Sequence, residues 1–152
     1  MDIKGIRPSW DTYFLNIALA VSKRSSCLRR NYGAVIVDKN HRIVSTGYNG
    51  APAGSANCID KEFCPRIANN IPKGEGYDIC PAVHAEMNAI LNADPVRIKD
   101  ATIYVAGYEF ESDELADGHP CNLCSKLIKG STLSEVVYMD KEGVVHRYRV
   151  WV

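Results

Sequence analysis

The sequence predicts an α/β fold, a three-layer arrangement in which a five-stranded mixed sheet carries helices on both faces. Three observations predict it. Segments with apolar residues at helical spacing, near 9–24, 82–93 and 122–129, alternate with short strand-like runs. The run Tyr32-Gly33-Ala34-Val35-Ile36-Val37 is continuously apolar, as expected of a strand covered on both faces. The C-terminal residues alternate in character after a tight turn, which marks an edge strand of a hairpin.

The elements follow in order. Ser9 is placed to cap a first helix, with Asp11 in the opening turn, Phe14, Ile17, Ala18 and Val21 on one apolar face, and Lys23 and Arg24 at the end. Trp10 and Tyr13 are read as packing residues. Ser25-Ser26-Cys27 breaks the pattern before the first strand. Asp38-Lys39-Asn40-His41 reads as a turn with a solvated His41, and 42–48 as a second strand closing a hairpin. Asn49-Gly50-Ala51-Pro52-Ala53-Gly54 is a loop at a strand end. It is either a connecting turn or a pocket wall in which the Asn49 amide holds a sugar hydroxyl. No period is visible over 55–80, a Cys-rich insert predicted to be irregular.

A helix is expected over 82–93, with Val83, Met87, Ile90 and Leu91 inward, His84 in its first turn and Asp94-Pro95 ending it. The third strand covers 101–108. An acidic loop follows, carrying Glu109, Glu111, Asp113, Glu114 and Asp117. The next helix covers 122–129, with Leu123, Leu127 and Ile128 inward and Gly130 as its stop. A fourth strand at 135–139, a turn at 140–143 and an antiparallel fifth strand at 144–152 complete the chain.

Composition narrows the function. A length of 152 residues is expected to form one domain, 1–152, including the insert. Hydrophobic content of 46% and charged content of 24% are those of a soluble globular protein. The formal net charge is zero, so no broad basic surface points to nucleic acid. Met1-Asp2-Ile3-Lys4-Gly5 has no apolar core of a signal peptide, and no run is long enough to span a membrane. The expectation is a cytoplasmic protein without nucleic-acid or membrane partners.

The chemistry concentrates in His84-Ala85-Glu86 and Pro120-Cys121-Asn122-Leu123-Cys124. One imidazole and two thiolates suit Zn²⁺. Three protein ligands leave the fourth tetrahedral position for water, the arrangement of a catalytic site, where zinc brings the pKa of that water to about 7. Glu86 is spaced to stand beside the water as the proton shuttle without being a ligand. Cysteines at a helix start are stabilised as thiolates by amide N–H groups and the helix dipole, and Pro120 fits before the first turn. Four of the six cysteines remain. Cys27, Cys58, Cys64 and Cys80 match the number that a closed structural zinc needs, and metal clamping would account for the insert. The alternative is a mobile loop with ordinary thiols.

His-x-Glu followed by Pro-Cys-x-x-Cys is the zinc-deaminase signature. With Arg24-Ser25-Ser26-Cys27-Leu28-Arg29-Arg30, Gly47-Tyr48-Asn49-Gly50-Ala51-Pro52-Ala53-Gly54 and Val83-His84-Ala85-Glu86-Met87-Asn88-Ala89-Ile90, the sequence resembles the cytidine and deoxycytidylate deaminase superfamily. It resembles the deoxycytidylate branch most, from about Ser9 to Met139. The resemblance implies a cytidine-deaminase-like fold and deamination of dCMP to dUMP and ammonia. It implies His84, Cys121 and Cys124 on a catalytic zinc and Glu86 as shuttle. Asn49 becomes a nucleoside contact and the backbone at Ala85 a pyrimidine contact. A second, structural zinc would use Cys27 and Cys58 with others from the insert. Relatives are commonly hexamers regulated by dCTP with Mg²⁺ and by dTTP, so a homo-oligomer is expected.

Two departures stand beside the resemblance. The stretch from Gly107 to His119 is longer than the usual link to Pro-Cys. A hairpin replaces the usual last helix and strand, which leaves Arg29, Arg30 and Arg97 as candidates for a substrate phosphate. Other readings keep the chemistry but change the substrate to cytidine, deoxycytidine, a modified pyrimidine or a purine base. A non-catalytic zinc-stabilised binding module is a third class, and a nucleic-acid editor a fourth, disfavoured by the neutral charge.

Overall fold

Helix α1 (Trp10–Ser22) starts where the Ser9 hydroxyl accepts a hydrogen bond from the Thr12 amide at 3.2 Å, the cap expected from the sequence. This structure, a computed structural model, describes residues 7–151. The N-terminal Met1–Gly5 stretch, which lacks the apolar core of a signal peptide, and Val152 of the last predicted strand lie outside the described residues.

After α1 come β1 (Arg30–Val37), β2 (Ile43–Tyr48), α2 (Cys58–Lys61), α3 (Pro65–Ala68), α4 (Ala85–Asn92), β3 (Thr102–Glu109), β4 (Leu115–Ala116), α5 (Asn122–Gly130), β5 (Glu135–Met139) and β6 (Val145–Arg149). The sheet order is β2-β1-β3-β5-β6, with β4 paired to β3. β1 is antiparallel to both β2 and β3, β3 and β5 are parallel, and β6 closes the far edge antiparallel to β5. The parallel pair follows from the α5 crossover between β3 and β5.

Two cores flank the sheet. Phe14, Leu15 and Ala18 of α1 bury against Val35, Val37, Tyr104, Ala106 and Val137. On the other face Ala85 and Ala89 of α4 and Ile128 of α5 pack on Ala34, Ile36, Ile103, Val105 and Val136. β1 is buried from Gly33 onward because it lies under both layers, as its continuous apolar run predicts. Among the described residues no helix is long and apolar enough to cross a membrane.

The structure corrects several expectations. Among the described residues the sheet has six strands, not five. β5 pairs with β3 only from Thr102 to Val105, so the outer end of β3 is left free, and β4, from within the acidic loop, pairs with Gly107 and Tyr108. The insert contains α2 and α3, each a single short turn and too brief to display a period; Pro65 at the start of α3 sets its first φ angle.

α4 begins at Ala85, with His84 as its cap, because Val83 is held extended by paired hydrogen bonds with Gly50. Its buried residues are Ala85, Glu86 and Ala89, and Ile90 of the predicted face packs against the same core, whereas Leu91 is 74% exposed. Gly47 explains this: a Cβ there would run into the Ala89 amide, so α4 lies against β2 too closely for larger side chains. α5 buries Cys124 and Ile128, leaves Leu123 and Leu127 exposed, and ends at the Ser131 cap with Gly130 inside it. His41 is exposed in its turn as expected, and its ring also stacks on Trp10 with centroids 4.2 Å apart.

Candidate active site

The caps of α4 and α5 meet. His84 caps α4 and Cys121 caps α5, where the Cys121 sulfur accepts from the Cys124 amide at 3.5 Å. His84 Nδ1 lies 3.2 Å from Cys124 Sγ and 3.4 Å from Cys121 Sγ. All three ligand atoms lie within 4.8 Å of one another. Tetrahedral zinc with ordinary Zn–S and Zn–N lengths spaces nitrogen and sulfur by about 3.6 Å. The donor set and its spacing therefore fit Zn²⁺ with little movement.

Electrostatics agree with a cation between the sulfurs. The hydrogen bond from the Cys124 thiol, helped by His84 and the Cys124 amide, lowers Cys121 to about 4 against the opposing effect of burial. The same Cys121–Cys124 bond and burial push Cys124 far up. A lowered Cys121 favours the thiolate that a divalent ion requires, and such ligands release their protons when the ion binds. Burial lowers the His84 pKa, but the hydrogen bond with Cys121 and the negative charges of Cys121 and Glu86 outweigh it, and the net shift is upward.

Glu86 lies one residue into α4 and is 6% exposed. Burial raises its pKa. It lines a solvent-open cleft together with His84, Ala85, Cys121, Asn49 and Tyr32. A carboxyl that gives up its proton reluctantly, next to a three-ligand metal site in a cleft, is equipped to carry a proton between water and a substrate.

The other predicted residues divide. Asn49 is buried and lines the cleft, but its amide is engaged with β1: Oδ1 accepts from the Tyr32 amide at 2.8 Å and Nδ2 donates to the Arg30 carbonyl at 2.9 Å. One Nδ2 hydrogen is left for a ligand. Ala85 lines the cleft at the start of α4. Arg29 also lines it and donates from Nη1 to the Ile71 carbonyl at 3.0 Å. Arg30 pairs with Glu109 at 3.1 Å, and Asp113 with Lys23, so two acidic-loop carboxylates are neutralised. Arg97 is not brought to the site; it stands near Asp38 beside the β1–β2 turn.

Cys27, Cys58, Cys64 and Cys80 are free and line one small neighbouring cleft. Among the described residues no three of their sulfurs come within 4.8 Å of one another. Burial raises the Cys58 pKa, and the negative charges of Cys64 and Cys27 add to the rise.

Arg66 and Tyr77 were not singled out from the sequence, yet both line the cleft. The Tyr77 ring meets His84 edge-on at 4.7 Å, and the Arg66 guanidinium lies 4.7 Å from the Tyr77 ring centroid. A cation two residues after Cys64 in a metal-like insert was the available signal.

Comparison with known proteins bears on this geometry. Residues 8–140 match the family model of the cytidine and deoxycytidylate deaminase zinc-binding region. The chain is similar to a deoxycytidylate deaminase of Mycobacterium phage D29, at 44% identity over 87% of this chain and 95% of the phage protein. It is 39% identical to a deoxycytidylate deaminase of Schizosaccharomyces pombe over 87% of this chain, but spans only 37% of that protein. A crystal structure of the dCMP deaminase from cyanophage S-TIM5, in complex with dCMP and dUMP, superposes with a TM-score of 0.59 at 24% identity, covering 88% of this chain and 83% of that one. This last likeness is one of fold.

Proposed function

The chain belongs to the cytidine and deoxycytidylate deaminase family, and from that membership we propose that it is a zinc-dependent hydrolase converting dCMP to dUMP and ammonia. The observation that carries this reading is the convergence of His84, Cys121 and Cys124 within 4.8 Å, with buried Glu86 two residues from His84. The named activity of the phage D29 relative favours dCMP as substrate.

His84, Cys121 and Cys124 would hold the ion. When bound, zinc supplies the Lewis acidity that makes water a nucleophile near neutral pH. Glu86 would accept the proton of the attacking water, deliver it to the pyrimidine ring nitrogen and then assist the departing amine; its raised pKa suits both directions of transfer. Free amides at the start of α4, with Ala85, would orient the pyrimidine. Asn49 fixes the backbone of Tyr32 and Arg30 and would offer its remaining N–H to the sugar. Arg29 would face the phosphate.

Three further assignments belong to this reading. Cys27, Cys58, Cys64 and Cys80 would close on a second, structural zinc, supported by four free thiols around one cleft. Residues 1–152 would act as one domain in the cytoplasm. Subunits would associate as a homo-oligomer, up to a hexamer, for which exposed Leu91, Leu123 and Leu127 supply apolar contact surface.

The test is ammonia release from dCMP, deoxycytidine, CMP, dCTP and purine nucleotides. The expected outcome is turnover of dCMP first. Turnover of the nucleoside and not its monophosphate would overturn the substrate; release from none would overturn the activity.

A further inference from the structure

We propose that Arg66, carried by α3 of the insert, together with Arg29 forms the subsite for the substrate's phosphate monoester. The inference rests on the reading that the substrate is a cytosine nucleotide. It goes further by moving phosphate recognition onto the Cys-rich insert.

Arg66 is only 7% exposed, yet its guanidinium has no carboxylate partner among the described residues, and neither has that of Arg29. A buried cation without an opposite charge is costly, so its retention calls for an anion from outside. Nε of Arg66 donates to the Glu75 carbonyl at 3.0 Å. Its terminal nitrogens have no protein acceptor among the described hydrogen bonds and are not sealed from the cleft. The Tyr77 ring fixes the guanidinium plane, and Tyr77 in turn touches His84. The cation is therefore held two ring contacts from the metal ligand.

Arg29 lines the same cleft as Arg66, and both also border the neighbouring cysteine cleft. Lys73 lines the same cleft. Asp117 lines it too, but one carboxylate oxygen accepts from the His119 amide at 3.1 Å. Two unpaired guanidinium forks and an ammonium match a phosphate dianion in charge and in hydrogen-bond geometry. Each arginine follows an insert-cleft cysteine by two residues, Cys27 to Arg29 and Cys64 to Arg66. The cysteine cluster and the cations that read the phosphate are thus mechanically joined.

The test is titration calorimetry of dUMP and deoxyuridine into the zinc-loaded protein, its Arg66→Gln variant and its Arg29→Gln variant. The wild type is expected to favour dUMP over deoxyuridine by about 100-fold or more, and each variant to reduce that ratio by about tenfold or more, the scale of lost charge-assisted bonds. An unchanged ratio in both variants overturns the subsite while leaving the deaminase reading intact. A wild type that binds both ligands equally overturns the subsite and the nucleotide part of that reading together. Should Arg66→Gln not fold, the Arg29→Gln ratio decides.

Discussion

His84 Nδ1 stands 3.2 Å from the Cys124 sulfur although forty residues separate them in the chain. No strand or helix contains both. Each is delivered by the start of a helix, and the two starts converge because α4 and α5 pack on one face of the same sheet. The free amides of two helix starts stabilise thiolate there. Glu86, on the first turn of α4, is carried to the same place.

Glu86→Gln keeps the shape and removes the proton carrier. Turnover of dCMP is expected to fall by about 10²–10⁴-fold, the usual contribution of a positioned acid–base group. Zinc content and melting temperature should stay near wild type. Elemental analysis beside steady-state rates checks this, and loss of zinc with the activity would make Glu86 part of the metal site.

Cys58 is buried against the other insert cysteines. Zinc content is expected at about two per chain in the wild type, and at about one in Cys58→Ser, from the number of ligands each site needs. Elemental analysis of a chromatographed sample measures it. One zinc in the wild type, retained in Cys58→Ser, would remove the second site.

Gly47→Ala tests the close approach of α4 to β2. The added methyl meets the Ala89 amide and the Ala85 carbonyl, so α4 must shift. A loss of about 1–3 kcal/mol is expected from overpacking. That lowers the melting temperature by several degrees and disturbs His84 with it. Gly130→Ala, where nothing lies within 4 Å, is the control and should be neutral or mildly stabilising. Equal melting temperatures for wild type and Gly47→Ala would contradict the packing.

Asp140 governs the β5–β6 turn. Hydrogen bonds from His146 and from the Val144 and Glu142 amides hold its pKa below the usual carboxylate value. A depressed carboxylate contributes stability that is present above its unfolded pKa and lost as pH falls through its folded one. Amide exchange at Val144 and Glu142, corrected for intrinsic rates, should therefore stay slow at neutral pH and quicken only in acid below the usual carboxylate range. Asp140→Ala should show fast exchange at every pH. Protection that persists in acid would show that the charge is not what holds the turn.

Much of this was legible in the sequence, and the exceptions have physical reasons. Ser9 announced α1, the apolar run announced β1, and the turn at 140–143 announced the edge hairpin, because each signal is local. His84, Glu86, Cys121 and Cys124 were readable because metal chemistry demands particular residue types at fixed spacing. The inner face of α4 was readable only at Ile90, since a period of large apolar residues conceals a contact made by alanines over Gly47. β4 depends on a free stretch of β3, which no local pattern encodes. Arg66 and Tyr77 reach the cleft only through the folding of the insert, so the one signal, a cation two residues after Cys64, does not by itself place Arg66 there.

The most direct measurement is anomalous diffraction at the zinc edge from crystals of the wild-type protein. The expected result is a peak bonded to His84 Nδ1, Cys121 Sγ and Cys124 Sγ, with the Glu86 carboxylate beside it and not coordinated. A zinc-replete crystal with no peak among those three atoms would contradict the site on which the proposed chemistry depends.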